Sequence, residues 1–176
     1  MSALISPITS ADLQGSSALR SALLTLNNEH ARELSWADSA RFRQLVAAAF
    51  FAERVGVADA FLIAFDQDAN YDSPNFLWFQ GRYSRFVYVD RIVTAPQARG
   101  QGLARLLYGR LIDRAKATGH ELIVCEVNSN PPNPGSEALH RSLGFLPVGE
   151  ARLPTGKTVT YLELRIRREN RDQKPP

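Results

Sequence analysis

The sequence of 176 residues has few of the residue types that mark specialised folds. Its one cysteine, Cys125, cannot form a disulfide within the chain, which excludes a disulfide framework. Three scattered histidines, His30, His120 and His140, lack the spacing of metal ligands, so we expect no bound metal. No run approaches about 18 consecutive apolar residues, and MSALISPITS lacks the layout of a signal peptide. We therefore expect a cytoplasmic protein with no membrane partner.

An excess of charge of one sign is also missing. The chain has 21 Lys and Arg against 18 Asp and Glu, a net charge of +3, which does not favour a nucleic-acid partner. An RNA-directed activity would have only the arginine-rich segment 165–171 in its favour. The hydrophobic share of 44% with 22% charged residues is typical of a globular protein.

The hydrophobic patterns predict an α/β fold in which a mixed, mostly antiparallel sheet of six to seven strands is flanked by helices. We expect one domain over 1–166 and a disordered tail over 167–176. The predicted strands are 4–8, 46–55, 60–65, 86–93, 121–127, 145–153 and 158–166. The predicted helices are 13–27, 37–44, 76–79, 102–117 and 136–143, the fourth with an apolar stripe at positions 103, 106, 107, 111 and 115. Strand 86–93, helix 102–117 and strand 121–127 form a central βαβ unit with a right-handed crossover.

A glycine loop, APQARGQGLAR, joins the first two elements of that unit. Gly100 and Gly102 allow the backbone N–H groups to converge at the start of a helix, which makes a cradle for an anion. A dinucleotide fingerprint would need a third glycine where Arg105 stands, and the Gly-Lys-Ser/Thr of a P-loop is absent. Either a phosphate site or a plain tight turn explains the loop by itself.

The run IVTAPQARGQGLA, residues 92–104, resembles the acetyl-CoA-binding signature of the GNAT (GCN5-related N-acetyltransferase) superfamily, in which Gln97, Gly100 and Gly102 fill the fixed positions. A second superfamily motif, Asn-x-x-Ala-x-x-Leu-Tyr-x-x-x-Gly-Phe, resembles NPGSEALHRSLGF, residues 133–145. Ser136 and His140 depart from that motif. Segments 86–93, 125–128 and 131–134 are similar to a bacterial branch of the superfamily without an assigned substrate.

The resemblance implies the GNAT fold with acetyl-CoA as co-substrate. It places the pyrophosphate on backbone N–H groups of the glycine loop and the pantetheine arm along the end of the preceding strand. The cofactor-binding residues it implies are Ile92, Val93, Gln97, Arg99, Gly100, Gln101, Gly102, Leu103, Ala104, Asn133 and His140.

The proton chemistry is less settled, because the slot in which many superfamily members carry a tyrosine proton donor holds His140. A protonated histidine can fill that role, but the ring can equally pack beside CoA without one. Tyr88 and Asp90 share one strand face, and Glu126 ends the neighbouring strand. Asp90 and Glu126 are candidate bases, with an ion pair to Arg91 and a strand cap as the structural alternatives.

Cys125 is a candidate acetyl acceptor in a ping-pong route. Its alternation with Ile123 and Val127 favours a buried structural thiol instead.

The acceptor amine is expected on elements outside these motifs. The insertion 66–78 combines acids with aromatic rings, which suits a cationic amine, although a solvated loop explains it as well. With the turn expected at 27–29, it supplies the predicted substrate-binding residues Asn28, Glu29, Tyr71, Asp72 and Trp78.

The resemblance thus implies an N-acetyltransferase that acts on a primary amine of a small molecule by direct attack in a ternary complex. A protein or peptide N-acetyltransferase and a non-catalytic acyl-CoA-binding domain are the alternatives. We also consider a homodimer, in which the C-terminal β pair exchanges or adds strands between subunits.

Overall fold

The computed structural model describes residues 4–166, in which a seven-stranded sheet is surrounded by helices. The strands are β1 Ile5–Pro7, β2 Phe51–Val55, β3 Ala60–Asp66, β4 Val87–Thr94, β5 Leu122–Asn130, β6 Leu146–Arg152 and β7 Thr158–Arg165. The helices are α1 Ser10–Gly15, α2 Ser17–Glu29, α3 Ala31–Leu34, α4 Ser39–Ala48, α5 Pro74–Gln80, α6 Leu103–Ala117 and α7 Pro134–Leu143, with a 3₁₀ turn at Pro96–Ala98.

The strand order is β1-β2-β3-β4-β5-β7-β6, and β4 and β5 are the one parallel pair in this sheet. Helix α6 connects these two strands, as the predicted βαβ unit requires. Every residue of β3 from Ala60 to Phe65 is fully buried. Because successive side chains point to opposite faces, helices must cover both faces of the sheet. The predicted α/β class with a mixed, mostly antiparallel sheet is confirmed.

The parallel pair separates soon after it forms. Only Val87 and Tyr88 of β4 pair with β5, opposite Ile123 and Val124, although β4 continues to Thr94 and β5 to Asn130. A bulge in the β3–β4 ladder leaves Asp90 without a partner on β3. Beyond this point the two strands diverge, and the edge of β4 that faces β5 has no strand partner among residues 4–166. The gap between them is where the candidate site lies.

The N-terminal third differs most from the sequence prediction. The helix expected over 13–27 is two helices, because Ser16 has an extended backbone (φ −117°, ψ 104°) and its side chain caps α2 at the N–H of Leu19. The turn expected at 27–29 is helical and forms the last turn of α2. The short helix α3, which follows it, was not predicted.

The strand predicted over 46–55 is wrong in its first half. Phe42, Leu45 and Val46 are buried at helical spacing, and α4 continues to Ala48 before β2 begins at Phe51. The stripe predicted on α6 also needs one correction, because Leu106 is 39% exposed and Tyr108 is fully buried in its place.

The expectations about the C-terminal tail, the homodimer and the single domain stay predictions. No helix within residues 4–166 is long and apolar enough to cross a membrane. The predicted tail 167–176 lies outside the described residues. Strand β6 lies at an edge of the sheet, and its Leu146 is exposed. The homodimer through the C-terminal β pair stays a prediction, as does the single domain over 1–166.

Two glycine-to-alanine substitutions are expected to change stability in opposite directions. A Cβ at Gly149 would lie 2.6 Å from Cζ2 of Trp78, so Gly149→Ala should lower the free energy of unfolding by about 1–3 kcal/mol. A Cβ at Gly109, within helix α6, meets no atom within 4 Å, so Gly109→Ala should raise it by about 0.5–1 kcal/mol. Urea denaturation of both variants measures the two signs, and equal changes would contradict the packing described here.

Candidate active site

A cleft of about 750 Å³ occupies the gap between β4 and β5. The glycine loop and the first turn of α6 form one end, and the first turn of α7 and part of α3 complete the walls. The residues that line it are His30, Glu33, Leu34, Val89, Asp90, Ile92, Val93, Thr94, Ala98, Arg99, Gly100, Gly102, Leu103, Ala104, Arg105, Cys125, Glu126, Val127, Asn128, Pro132, Asn133, Pro134, Gly135, Ser136, Leu139 and His140.

The loop end of the cleft is built to hold an anion. Gly100 (φ 77°) and Gly102 (φ 75°) both take the left-handed backbone conformation that favours glycine, and Gly102 caps the N-terminus of α6. The first N–H groups of α6 therefore point into the cleft without intrahelical partners. Nine of the predicted cofactor residues line the cleft, whereas Gln97 and Gln101 belong to the same loop but do not.

The other end of the cleft contains the carboxylate of Glu126. Its Oε1 accepts hydrogen bonds from the hydroxyl of Tyr88 (3.0 Å) and the amide of Asn75 (2.8 Å). Asn75 is fixed in turn by the hydroxyl of Tyr161, which donates to its Oδ1. Oε2 of Glu126 is buried and has no hydrogen-bond partner. A buried carboxylate oxygen without a partner, in the wall of a cleft, is free to accept a proton from a ligand.

The surroundings of Glu126 disfavour its charged form. The pKa of this carboxyl is raised from 4.5 to about 8, chiefly by burial and then by the nearby carboxylate of Asp90, although the bonds from Tyr88 and Asn75 lower it. A group with such a pKa changes its protonation near neutral pH, which is where a general base works best.

Asp90 has the opposite environment. Its Oδ2 accepts a hydrogen bond from Nε of Arg91 at 2.8 Å, and its Oδ1 accepts one from the hydroxyl of Tyr71 at 2.6 Å. The ion pair is almost fully buried, with 7% of the Asp90 side chain exposed. Both oxygens of Asp90 are thus bonded, which fits the alternative of a structural ion pair with Arg91. Asp90 acts on Glu126 through its charge.

Arg91 connects this ion pair to α3. Its Nη1 donates to Oδ1 of Asn27 (2.6 Å) and to the carbonyl oxygen of Ser35 (3.0 Å). Ser35 has a positive φ of 89°, which is strained for a residue with a side chain. The amide of Asn28 binds both the carbonyl and the N–H of Ala37. These bonds fix the end of α3 against the strand that carries Asp90.

His140 lies in the cleft wall with both ring nitrogens engaged. Nδ1 is 2.7 Å from the carbonyl oxygen of Ser136, which can only accept, so Nδ1 carries the proton. Nε2 is 2.6 Å from the hydroxyl of Tyr108 and accepts from it. Burial lowers the pKa of His140, which favours the neutral ring. This arrangement holds no proton ready for a ligand and does not support the role of proton donor.

Cys125 also lines the cleft, but its thiol is not activated. It is 2% exposed, and burial, followed by the charge of Glu126, raises its pKa well above the ordinary value. A thiol in this state is a poor nucleophile for a ping-pong route.

The predicted acceptor residues do not line the cleft. Asn28 supports the loop after α3, and Glu29 is exposed at the end of α2. Asp72 is 93% exposed beside Arg41, and the ring of Trp78 stacks on Tyr161 with centroids 4.0 Å apart. Among these residues, Tyr71 is nearest to the site through its bond to Asp90.

Sequence reasoning missed several residues that shape the site. Asn75 and Tyr108 each bind one functional side chain, and His30, which precedes α3, lines the cleft together with Glu33 and Leu34 of that helix. The sequence contained one signal for this part of the site. Asn27 follows Leu23 and Leu26 at helical spacing, which puts a polar side chain on the buried face of the helix that precedes α3. Within the described part of the chain, no three His, Cys, Asp or Glu side chains are grouped as metal ligands would be.

The chain matches a family model over residues 25–145, that of the acetyltransferase (GNAT) family. It is 33% identical over 102 residues to an L-amino acid N-acyltransferase of Escherichia coli, a match that covers 54% of each chain. It is 30% identical over 87 residues to an L-methionine sulfoximine/L-methionine sulfone acetyltransferase of Salmonella typhimurium, covering 47% of this chain and 50% of the relative. The matches thus span about half the length of these curated relatives.

Solved structures show the same fold. A Salmonella typhimurium acetyltransferase solved with its cofactor acetyl-CoA superposes with a TM-score of 0.66 at 21% identity, covering 96% of both chains. The ribosomal-protein-S18-alanine N-acetyltransferase of Escherichia coli superposes with a TM-score of 0.64 at 20% identity, covering 96% of this chain and 97% of that enzyme.

The raised pKa of Glu126 predicts a specific dependence of stability on pH. Above its unfolded-state pKa of 4.5, the unfolded chain ionises this group and the folded chain does not, so folding loses stability as pH rises to about 8. Glu126→Gln removes the ionisation and keeps an oxygen for the bonds from Tyr88 and Asn75. Denaturation at pH 5 and pH 9 should therefore show the variant gaining about 4 kcal/mol relative to the natural protein at the higher pH. An equal difference at both values would contradict the assigned pKa.

Proposed function

Since this chain belongs to the acetyltransferase (GNAT) family, we propose that it transfers an acetyl group from acetyl-CoA to a primary amine of a small molecule. The amine attacks the thioester directly, with both substrates bound together. The observation that carries the proposal is the buried, unpartnered Oε2 of Glu126 at the end of a cleft whose other end holds an anion cradle.

The cradle and the free edge of β4 fit the two ends of acetyl-CoA. The pyrophosphate binds the N–H groups from Arg99 to Ala104, where α6 begins and Arg99 adds a positive charge. The pantetheine arm pairs with Ile92 and Val93 along the edge of β4 that β5 leaves open. A main-chain N–H at this edge is then in place to polarise the thioester carbonyl.

Glu126 acts as the general base. An amine reaches the site largely as an ammonium ion, since its ordinary pKa lies near ~10.4. Oε2 takes one proton from it, and the neutral nitrogen then forms the C–N bond to the acetyl carbon as the C–S bond breaks. The second proton of the nitrogen is released as the amide forms and passes through water to the departing thiolate. Tyr88 and Asn75 hold Oε1, so the lone pairs of Oε2 keep one direction.

The thiolate of CoA leaves with the electron pair of the C–S bond. An alkyl thiol has a pKa of ~8.5, so its thiolate is a good leaving group near neutral pH and can take its proton from water. The bonds of His140 to Ser136 and Tyr108 give it a different task, which is to shape the wall beside the cofactor.

The choice of a small molecule rests on the curated relatives, which are named for free amino acids and their derivatives. Thiol release from acetyl-CoA against a panel of amines tests the activity and identifies the acetyl acceptor. Acetyl-CoA binding without turnover would favour the non-catalytic alternative, and turnover with peptides alone would favour the peptide N-acetyltransferase.

Removal of the base is expected to lower activity and to change its pH dependence. In the natural protein kcat/KM should rise with pH as Glu126 loses its proton, with a limb near pH 8. Glu126→Gln should lower kcat/KM by about 10²–10⁴-fold and abolish this limb. The ionisation of the amine adds the same rising limb to the pH profiles of both enzymes. The difference between the two profiles therefore reports the ionisation of Glu126.

Two further variants sharpen this test. Tyr88→Phe removes a bond that lowers the pKa of Glu126, so the limb should move to higher pH. Glu150→Gln removes an exposed carboxylate on β6 and serves as the control with an unchanged profile. An unchanged limb in Glu126→Gln would overturn the assignment of the base.

The glycine loop is expected to set the affinity for acetyl-CoA. Gly102→Ala places a side chain at a positive φ of 75°, which costs about 1–2 kcal/mol, and relief of this strain turns the N–H groups out of the cradle. Calorimetry should show a dissociation constant raised by about tenfold. Gly156→Ala imposes the same kind of strain (φ 86°) in the β6–β7 turn and is the matched control. Equal affinities of the two variants would contradict the cradle.

A further inference from the structure

Two carboxylates that line the cleft have no Lys or Arg partner among the described residues. Glu126 presents its unpartnered Oε2, and Glu33 of α3 lines the same cleft with 38% of its side chain exposed. The charge of Asp90 is already matched by Arg91. In the form of the protein that can act as a base, Glu126 is ionised, so it and Glu33 present negative charge to an incoming acceptor.

The cations of the cleft are placed elsewhere. Among residues 4–166, Arg99 and Arg105 are the Lys or Arg side chains in its lining. Arg99 belongs to the glycine loop, and Arg105 in the first turn of α6 donates to Oγ of Ser142 at 2.8 Å. Both lie at the phosphate end. Arg91 is 3% exposed, and its Nε and Nη1 are bonded to Asp90, Asn27 and the carbonyl of Ser35.

A carboxylate on the acceptor would therefore be disfavoured. It would leave water for a site that contains like charges, while the guanidinium groups of the cleft lining belong to the glycine loop and to the first turn of α6. A second positive charge would be favoured, because Glu33 is available at the rim. Its Oε2 is 3.9 Å from Nδ1 of His30, its one ion-pair contact in the described residues.

The position of Glu33 is defined by the contacts around α3. Arg91 and Asn27 both donate to the carbonyl oxygen of Ser35, at 3.0 and 3.2 Å, and so hold the residue that ends the helix. Lys157, from the β6–β7 turn, donates to the carbonyl oxygen of Arg32. Hydrogen bonds therefore hold α3 both before and after Glu33. A carboxylate fixed in this way can bind a ligand group at a defined position.

We propose that the acceptor is an aliphatic amine that has no carboxylate beside its reacting nitrogen and carries a second ammonium group. The reacting amine binds Oε2 of Glu126, and the second ammonium group binds Glu33. This inference rests on the proposed function and narrows its substrate class. It separates this chain from the two curated relatives, which are named for L-amino acids and for methionine derivatives.

Four commercially available amines form a matched set for the test. Cadaverine has two amino groups, and lysine is the same molecule with a carboxylate. Pentylamine has one amino group, and norleucine is its counterpart with a carboxylate. With acetyl-CoA saturating, kcat/KM for acetylation at the α-nitrogen of each amino acid should be at least about tenfold below that of its decarboxylated partner. Cadaverine should exceed pentylamine by about fivefold, since the pair with Glu33 is partly exposed.

Variants of Glu33 assign the second preference to that residue. Glu33→Gln should bring the ratio of cadaverine to pentylamine close to one, through KM rather than kcat. Glu33→Lys should reverse the charge preference and raise kcat/KM for norleucine relative to pentylamine. Glu150→Gln, which removes an equally charged exposed side chain outside the cleft, should keep the ratios of the natural protein.

The outcomes separate this inference from the proposed function. Turnover of norleucine as fast as pentylamine, or acetylation of lysine at its α-nitrogen as fast as that of cadaverine, would overturn the inference and leave the acetyltransferase activity intact. A ratio of cadaverine to pentylamine that Glu33→Gln does not change would also overturn the role of Glu33. Binding of acetyl-CoA with no thiol release from any of the four would overturn the proposed small-amine activity and this inference with it.

Discussion

The divergence of β4 from β5 is the constraint on which the site depends. A parallel pair that continued over the full length of both strands would fill the space now occupied by the cleft. Because the pairing ends after Tyr88, the main chain of β4 keeps free hydrogen-bonding groups, and Glu126 on β5 faces a cavity instead of a neighbouring strand. The bulge at Asp90 falls where the strands begin to separate. One irregularity of the sheet thus creates both the open edge of β4 and the position of Glu126 in the wall of the cleft.

Burial then gives the two acidic residues different properties. Asp90 has an arginine and a tyrosine hydroxyl as partners, so its charge is stable inside the protein. Glu126 has only neutral donors on one oxygen, and the charge of Asp90 close by, so its pKa rises to about 8. The two carboxylates of the same cleft therefore differ in their partners, and Glu126 is the one whose surroundings suit acid–base chemistry. Arg91, whose charge balances that of Asp90, also fixes the end of α3 in the wall of the cleft.

The histidine at the tyrosine position of the second motif is explained by its neighbours. A tyrosine hydroxyl from α6 reaches Nε2 of His140, and the carbonyl of Ser136 accepts from Nδ1. The two contacts satisfy a buried polar ring, as the interior of a protein requires. Ser136 and His140, the two departures from the motif, thus contact each other through Nδ1 and lie on the same turn of α7.

The sequence by itself determined the fold class, the βαβ unit, the family and most of the cofactor loop. These features depend on short-range signals: alternation in strands, the stripe of α6, and two motifs in the expected order along the chain. Asp90, Glu126 and His140 were also predicted as site residues, from strand alternation, a strand end and a motif position respectively. The tertiary structure decided what each of them does. Asn75, Tyr108 and Arg91 determine the state of those side chains, and the first two are 51 and 32 residues distant from their partners in sequence. The acceptor wall on α3 had no local signal, because a four-residue helix has no periodicity to detect and owes its position to hydrogen bonds from β4 and α2.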